Sequence, residues 1–393
     1  MNPSHPSRAG SRTFGPRADA AADALRIVPM LALAMLLLLA ALAVRAQDAG
    51  GKIVIGQSVA LTGPQAALAK PFHDGARLYF ERLNAAGGIG GRKIELVALD
   101  DGGVPANATA NTKRLVDQGV FALFGYYGSA QVKAAYPSIA DSETLLFAPM
   151  AGAEELGGTL FPNVYLLRPG FAFETHAMVR HAERLGAKKF AILHGNDAES
   201  LAALETGEPT MAGLGVNLLF KGPLAAVDKV VAARPESVLV ISDANAAAKV
   251  IKDLRGKGYR GLVYAYSNAG ESLLAEQLGA DGAGVVVARV VPKSDSAKVQ
   301  VVRELIADAK EAKLADKPNV YMLEGYIAAR TFAEALRRAA PRGSALTQAK
   351  LRKAVEALDD LSIGGFRVHF AGGRVASKLV ELSLIDSSGK VRE

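Results

Sequence analysis

From Lys52 to Val291 the sequence alternates short, continuously apolar runs with longer stretches of helical spacing, and this alternation leaves few folds open. One series of runs is IVIGQSVAL (53–61), KIELVAL (93–99), VFALFG (120–125), TLLFAP (144–149) and NVYLL (163–167). A second series is KFAILHG (189–195), VNLLF (216–220), SVLVIS (237–242), LVYAYS (262–267) and GVVVARVV (284–291). Strands that are apolar on both faces are covered on both faces, and helices inserted between successive strands make the sheet parallel. ETHAMVRHAERLGA (174–187) and ANAAAKVIKDLRGKG (244–258) are two such helical inserts. Two series therefore predict an α/β chain with two doubly wound parallel-sheet lobes. The last third opens with helical segments at 297–314, 319–339 and 347–358, then returns to strand-like FRVHF (366–370) and LVELSLID (379–386). That late return suggests a further passage of the chain between the lobes.

The run NAAGGIGGRK (84–93) looks at first like a phosphate-cradling loop. A dinucleotide fingerprint, however, places its glycines after a strand and at the start of a helix, where free N–H groups meet the pyrophosphate. Here the order is reversed. Phe72, Ala76, Phe80 and Leu83 share a helical face before the glycines, and the β-rich run 93–99 follows them. Gly87 and Gly88 are expected to stop a helix, and Gly90 and Gly91 to turn the chain into a strand.

Other chemistry is sparse. The chain has no cysteine, which excludes disulfides, thiolate catalysis, thiolate metal sites and a lipid-modified cysteine. His176 and His181 are five apart and so lie on different faces of their helix, while His73, His194 and His369 lack partners at ligand spacing. No metal site is expected. No G-x-S-x-G, H-E-x-x-H or Walker pattern occurs. Asp100 and Asp101 end a strand on opposite sides, which suits turn residues better than a catalytic pair. No cofactor is implied.

Residues 1–46 are set apart. Arg8, Arg12, Arg17 and Arg26 precede the apolar stretch Ile27 to Val44, and Val44 and Ala46 stand where a signal peptidase would read small residues. This predicts a signal peptide cleaved before Gln47; the alternative, given the length of the apolar run, is an uncleaved anchor. Removing that segment takes away five arginines and two aspartates, and the net charge falls from +7 to +4. No basic block remains, so nucleic acid is not an expected partner.

Ligands of open α/β sheets bind at the carboxyl ends of the strands. Three loops there are rich in small residues: LTGPQ (61–65), GYYGSAQ (125–131) and APMAGAEE (148–155). Ser129 heads a helix, and two readings stand side by side. Its hydroxyl and the neighbouring N–H groups could hold an anionic oxygen, or the hydroxyl could simply cap its own helix.

VALTGPQAA, the long block DGARLYFERLNAAGGIGGRKIELVALDDGGVPANATANTKRLVDQGVFALFG, then HAERLGAKKFAILHGND, IKDLRGKGYRG, GVVVARVVP, VYMLEGYIAARTFAEALRRA and LSIGGFRVHF occur in this order. Together they resemble the periplasmic substrate-binding proteins of ABC importers in the leucine/isoleucine/valine-binding family, over nearly everything after residue 51. The resemblance implies a type I periplasmic binding fold, two lobes joined by a three-crossover hinge. It implies one lobe over 47–170 and 290–375, and the other over 171–289 and 376–393. It also implies a monomer in the periplasm that binds a small molecule, performs no chemistry and delivers its ligand to a permease in the inner membrane.

By the same resemblance a ligand carboxylate is held at Ser129, with Gly128 and Tyr127 beside it, and by the loop carrying Met150, Ala151 and Gly152. The chain departs from the pattern at several positions. Gly152 stands where amino-acid binders have threonine, Leu68 where the branched-chain binder has tyrosine, Ala244 where another tyrosine would reach in, and Ser267 where an acidic residue would meet the ammonium. HGNDAES lacks the usual tyrosine-glycine pair. An unpaired ammonium in a closed cleft is costly. Unless Glu174, Asp197 or Asp243 substitutes, the expected ligand is a small carboxylate or amide without the α-ammonium, with Tyr127 and Tyr321 as walls. The alternatives are a sensing domain of the same fold acting with a separate signalling partner, and a two-lobed enzyme, for which the glycine fingerprint is missing.

Overall fold

The computed structural model describes residues 51–341 and 344–392. The expected signal segment lies outside them. In chain order the elements begin with β1 (Lys52–Val59), α1 (Ala66–Ala85), β2 (Lys93–Asp100), α2 (Pro105–Asp117), β3 (Ala122–Phe124), α3 (Ser129–Ala135), β4 (Leu146–Phe147) and β5 (Val164–Tyr165). These five strands form one parallel sheet in the order β2-β1-β3-β4-β5. The chain then crosses through α4 (Phe171–Arg184) to β6 (Lys189–His194), α5 (Ala198–Gly213), β7 (Asn217–Pro223), α6 (Val227–Ala233), β8 (Ser237–Ile241), α7 (Ala244–Gly256), β9 (Leu262–Ala265), α8 (Glu271–Leu278) and β10 (Val285–Arg289).

A second passage leads to α9 (Gln300–Glu311), α10 (Val320–Ala339) and α11 (Gln348–Glu356), followed by a small hairpin of β11 (Leu361–Ile363) and β12 (Phe366–Val368). A third leads to β13 (Glu381–Ile385) and β14 (Val391–Arg392), which join the second sheet: β14-β13-β10-β9-β8-β6-β7. Two doubly wound lobes are present, as the alternation of runs predicts, and three crossovers join them, as the family resemblance implies.

Both sheets are wound alike. Reading β6 as the first strand of its series, the core order 7-6-8-9-10 repeats the 2-1-3-4-5 order of the first sheet. The second sheet shows why its strands read as unbroken apolar runs. Val238, Val240, Val263, Ala265, Val285 and Val287 enter one core cluster, while Leu239, Ile241, Tyr264, Val286 and Ala288 enter another. Alternate residues are buried on opposite faces, so both faces of these central strands select apolar side chains.

The first lobe is centred on Phe124, whose ring lies 5.5–6.4 Å from those of Phe72, Phe80, Phe147 and Phe332. That cluster draws α10, from the last third of the chain, onto the first sheet beside α1. The two helices touch backbone to backbone: a Cβ on Gly75 would overlap the Met322 carbonyl, and one on Gly325 that of Phe72. The 84–93 turn behaves as its context predicts. Gly87, Gly88, Gly90 and Gly91 all have positive φ, and Ile89 and Arg92 bridge the reversal before β2.

Two features differ from the sequence reading. β4 and β5 have only two residues each, because the chain leaves the ladder at Ala148 (φ 51°). At the other edge, β13 and β14 are antiparallel, since the chain arrives from the third crossover rather than through a helix and turns straight back at Asp386–Lys390. Among the described residues no helix is long and apolar enough to cross a membrane.

Candidate functional site

In a 2-1-3-4-5 sheet the connections leave β1 and β3 in opposite directions, which opens a crevice at their carboxyl ends. The second sheet has the equivalent crevice between β6 and β8. The structure brings the two together. A cavity of about 220 Å³ is lined by Pro64 and Gln65 after β1, Gly102 and Gly103 after β2, Tyr127 after β3, Asp197 and Glu199 after β6, Asp243 after β8 and Asn268 after β9.

The loops are built by their own carboxylates. Asp100 accepts from the Leu61 N–H (2.9 Å) and the Thr62 hydroxyl (2.6 Å), and these bonds, the Thr62 hydroxyl first, hold its carboxyl below the usual range. Asp101 accepts from the Ser58 hydroxyl (2.7 Å) and the Gly103 N–H (2.8 Å). The pair therefore shapes turns, as its adjacency suggests. Asp197 caps α5 through the Ser200 N–H (3.0 Å), and Asp243 caps α7 through the N–H groups of Asn245 (2.8 Å) and Ala246 (3.1 Å).

Ser129, buried behind Gly128, does not cap its own helix. Its N–H donates to Glu199 Oε2 at 2.7 Å, and its hydroxyl donates to Glu199 Oε1 at 3.1 Å while accepting from the Ala153 N–H at 3.2 Å. The Gly152 N–H also donates to Glu199 Oε1, at 3.3 Å. Of the two readings of Ser129, the geometry matches the anion one, and the anion is a carboxylate of the same chain reaching across from the other lobe. Burial pushes the Glu199 carboxyl up, opposed by these donors. Nothing in HGNDAES pointed to Glu199, because an acidic residue in a helix's first turn is common for reasons of the helix dipole alone.

A second buried group centres on Arg168, which the sequence reading missed. One of its Nη2 hydrogens goes to Ser267 Oγ; the same nitrogen lies 3.3 Å from Glu174 Oε1, and Nη1 lies 3.6 Å from Glu324 Oε1. Glu174 in turn accepts from the Ser267 N–H (2.7 Å) and hydroxyl (2.9 Å). Burial pushes Glu174 and Glu324 up. It works against the charge on Arg168, but Glu324, Glu174 and Glu199 outweigh it and hold that proton more firmly. Glu174 is thus engaged by Arg168 and Ser267.

The remaining expected residues scatter. Tyr127 lines the cavity, whereas Tyr321 lines a separate recess of about 760 Å³ with Glu271, Lys293 and Arg392, its hydroxyl 3.3 Å from the carbonyls of Ser267 and Asn268. Met150 bridges to Tyr127 through the backbone, Ala151 is buried beside the same loop, and Leu68 is buried in the first-lobe core and is not among the residues lining the cavity. Gly152 has a steric cause: a Cβ there would meet the Phe171 ring at 2.5–2.7 Å, so the space for a threonine is already filled. Asn268 Oδ1 is buried without a hydrogen-bond partner.

The sequence profile described as periplasmic binding protein matches residues 52–379. A Leu/Ile/Val-binding protein homolog from Brucella melitensis is 27% identical over 154 residues, 39% of this chain and 42% of that protein. The chain spans less than half the length of the curated relatives it matches. Among solved structures, a substrate-binding periplasmic protein from Ralstonia solanacearum superposes with a TM-score of 0.79 at 28% identity, covering 86% of this chain and 99% of that one. An extracellular ligand-binding receptor from Verminephrobacter eiseniae superposes with a TM-score of 0.80 at 26% identity, covering 87% and 100%.

Proposed function

The chain belongs to the periplasmic binding protein family, and on that premise we propose that it is the solute-capturing component of an ABC importer, working in the periplasm as a monomer. One observation carries this reading. The two lobes meet through a side chain of one lobe bound to the backbone of the other, Glu199 on Ser129 and Gly152, directly beside a cavity lined by residues of both.

The mechanism is binding without chemistry. A solute enters between the separated lobes and contacts the strand-end loops; the second lobe then swings over by hinge motion and excludes water. The closed form is what an inner-membrane permease would receive. The strand-end loops supply backbone donors, buried acceptors and one aromatic surface, which is the equipment of a small-solute site. A carboxylate solute, the class expected from the sequence, would reach the donors of Ser129 and Gly152 only if Glu199 withdrew from them first.

A thermal-shift screen against carboxylates, amino acids, amides and amines tests the reading. A solute present at a hundred times its Kd should add about 2.7 kcal/mol to stability. Silence across every class, or consumption of any of them, would overturn it.

A further inference from the structure

Resting on the solute-capture reading, we propose that Glu199 supplies from the protein itself the carboxylate that an amino-acid ligand would otherwise bring, and that the cleft selects a small organic cation with N–H donors, such as a primary amine, that carries no carboxylate.

The anion cradle is already satisfied. All three of its donors, the Ser129 N–H, the Ser129 hydroxyl and the Gly152 N–H, point to the two oxygens of Glu199. Glu199 also faces the cavity, so its negative charge remains part of the binding surface. The rest of that surface continues in the same sense. Asp197 and Asp243 line it, and among the described lining residues there is no lysine, arginine or histidine. The guanidinium of Arg168 also attracts Glu199, but this one positive charge is already shared with Glu174 and Glu324, so the lining stays net negative. An anion entering here would meet three like charges along the second-lobe wall, with no cation on the first-lobe wall among the described lining residues.

Asn268 gives independent support. It is only 8% exposed and lines the cavity, and its Oδ1 has no hydrogen-bond partner. A buried acceptor without a partner calls for a donor from outside the protein. Carboxylates at Asp197, Asp243 and Glu199, the Asn268 oxygen and the aromatic surface of Tyr127 together suit an ammonium, which donates three hydrogen bonds and is attracted to aromatic faces. At about 220 Å³ the space falls below the range typical of drug-sized ligands, which fits a short-chain amine.

Titration calorimetry of the purified protein with butylamine, butyrate and leucine tests this directly. The wild type should bind butylamine at least about tenfold more tightly than butyrate or leucine. Glu199→Ala frees the cradle donors, so it should lose amine affinity by a similar factor and gain measurable binding of leucine. Asp243→Asn keeps the helix cap, because asparagine caps as well as aspartate, and should weaken butylamine about threefold with the fold intact. Butyrate or leucine binding to the wild type as tightly as butylamine would overturn the inference and leave solute capture standing, as would unchanged amine affinity in Asp243→Asn. No binding of butylamine to the wild type would overturn this inference, and silence in the wider thermal-shift screen as well would overturn both.

Discussion

Replacing Arg168 with methionine keeps most of the side chain's length and removes its charge. Arg168 is 4% exposed, and its partners Glu174 and Glu324 are 0% and 5% exposed, so water cannot take over the lost contacts. Removing one member of a buried ion pair costs about 3–5 kcal/mol, because the other is left buried and unpaired. For a chain of this size the unfolding entropy is about 0.7 kcal/mol per degree, so Tm should fall by about 4–7 °C. Differential scanning calorimetry at pH 7.5 reads this. Adding Glu174→Gln and Glu324→Gln to the same variant removes the orphaned charges and should recover much of the loss. Lowering the pH to 5 should narrow the gap between wild type and Arg168→Met, since the orphaned carboxyls can then take up protons. A Tm within about 1 °C of wild type, an error-sized change beside the expected one, would refute the claim that this charge group is buried and coupled.

The same carboxyls set the pH dependence. Burial raises Glu174, Glu199 and Glu324 above the ordinary value of 4.5, so their contribution is fully present below that value and is lost as pH rises through their raised values. Tm should therefore decline from pH 5 to pH 8, with a shallower slope in Glu324→Gln; a rise over that window would contradict it. Asp100, with its lowered carboxyl, acts only at more acidic pH. Gly152→Thr should destabilise by about 1–3 kcal/mol through overlap with the Phe171 ring, and Phe171→Leu in the same chain should relieve part of it in thermal melts. Gly75→Ala should force α1 from α10 and lower Tm by a few degrees, whereas Gly213→Ala, with open space around its Cβ position, should not.

The parts of the molecule legible in the sequence are those governed by neighbours along the chain. Val238 to Ile241 announce a strand buried on both faces, and Gly87 to Gly91 announce a turn, because each depends on local conformation and burial. Ser129 was visible for the same reason: it follows a strand and heads a helix. Its partner was not. Glu199 lies 70 residues away and resembles an ordinary helix-start carboxylate until the lobes meet. Arg168 was equally hidden, since Ser267 is 99 residues distant and a lone arginine after a strand reads as solvated. Leu68 illustrates the converse. Its place in the family pattern suggests a ligand contact, yet it is buried in the first-lobe core and does not line the cavity. The antiparallel edge at β13 and β14 depends on where the third crossover delivers the chain, which no local pattern encodes.

The central claim is that two lobes move together around a solute. The absence of cysteine allows a spin label to be placed cleanly on Cys variants of exposed Lys113 in the first lobe and Lys229 in the second. Pulsed dipolar spectroscopy on that pair measures the separation of the lobes directly. The account predicts a long-distance population that shortens and sharpens when a binding solute is added, and a shift toward longer distances in Glu199→Ala without solute. One fixed distance in every condition, with or without a bound solute, would contradict it.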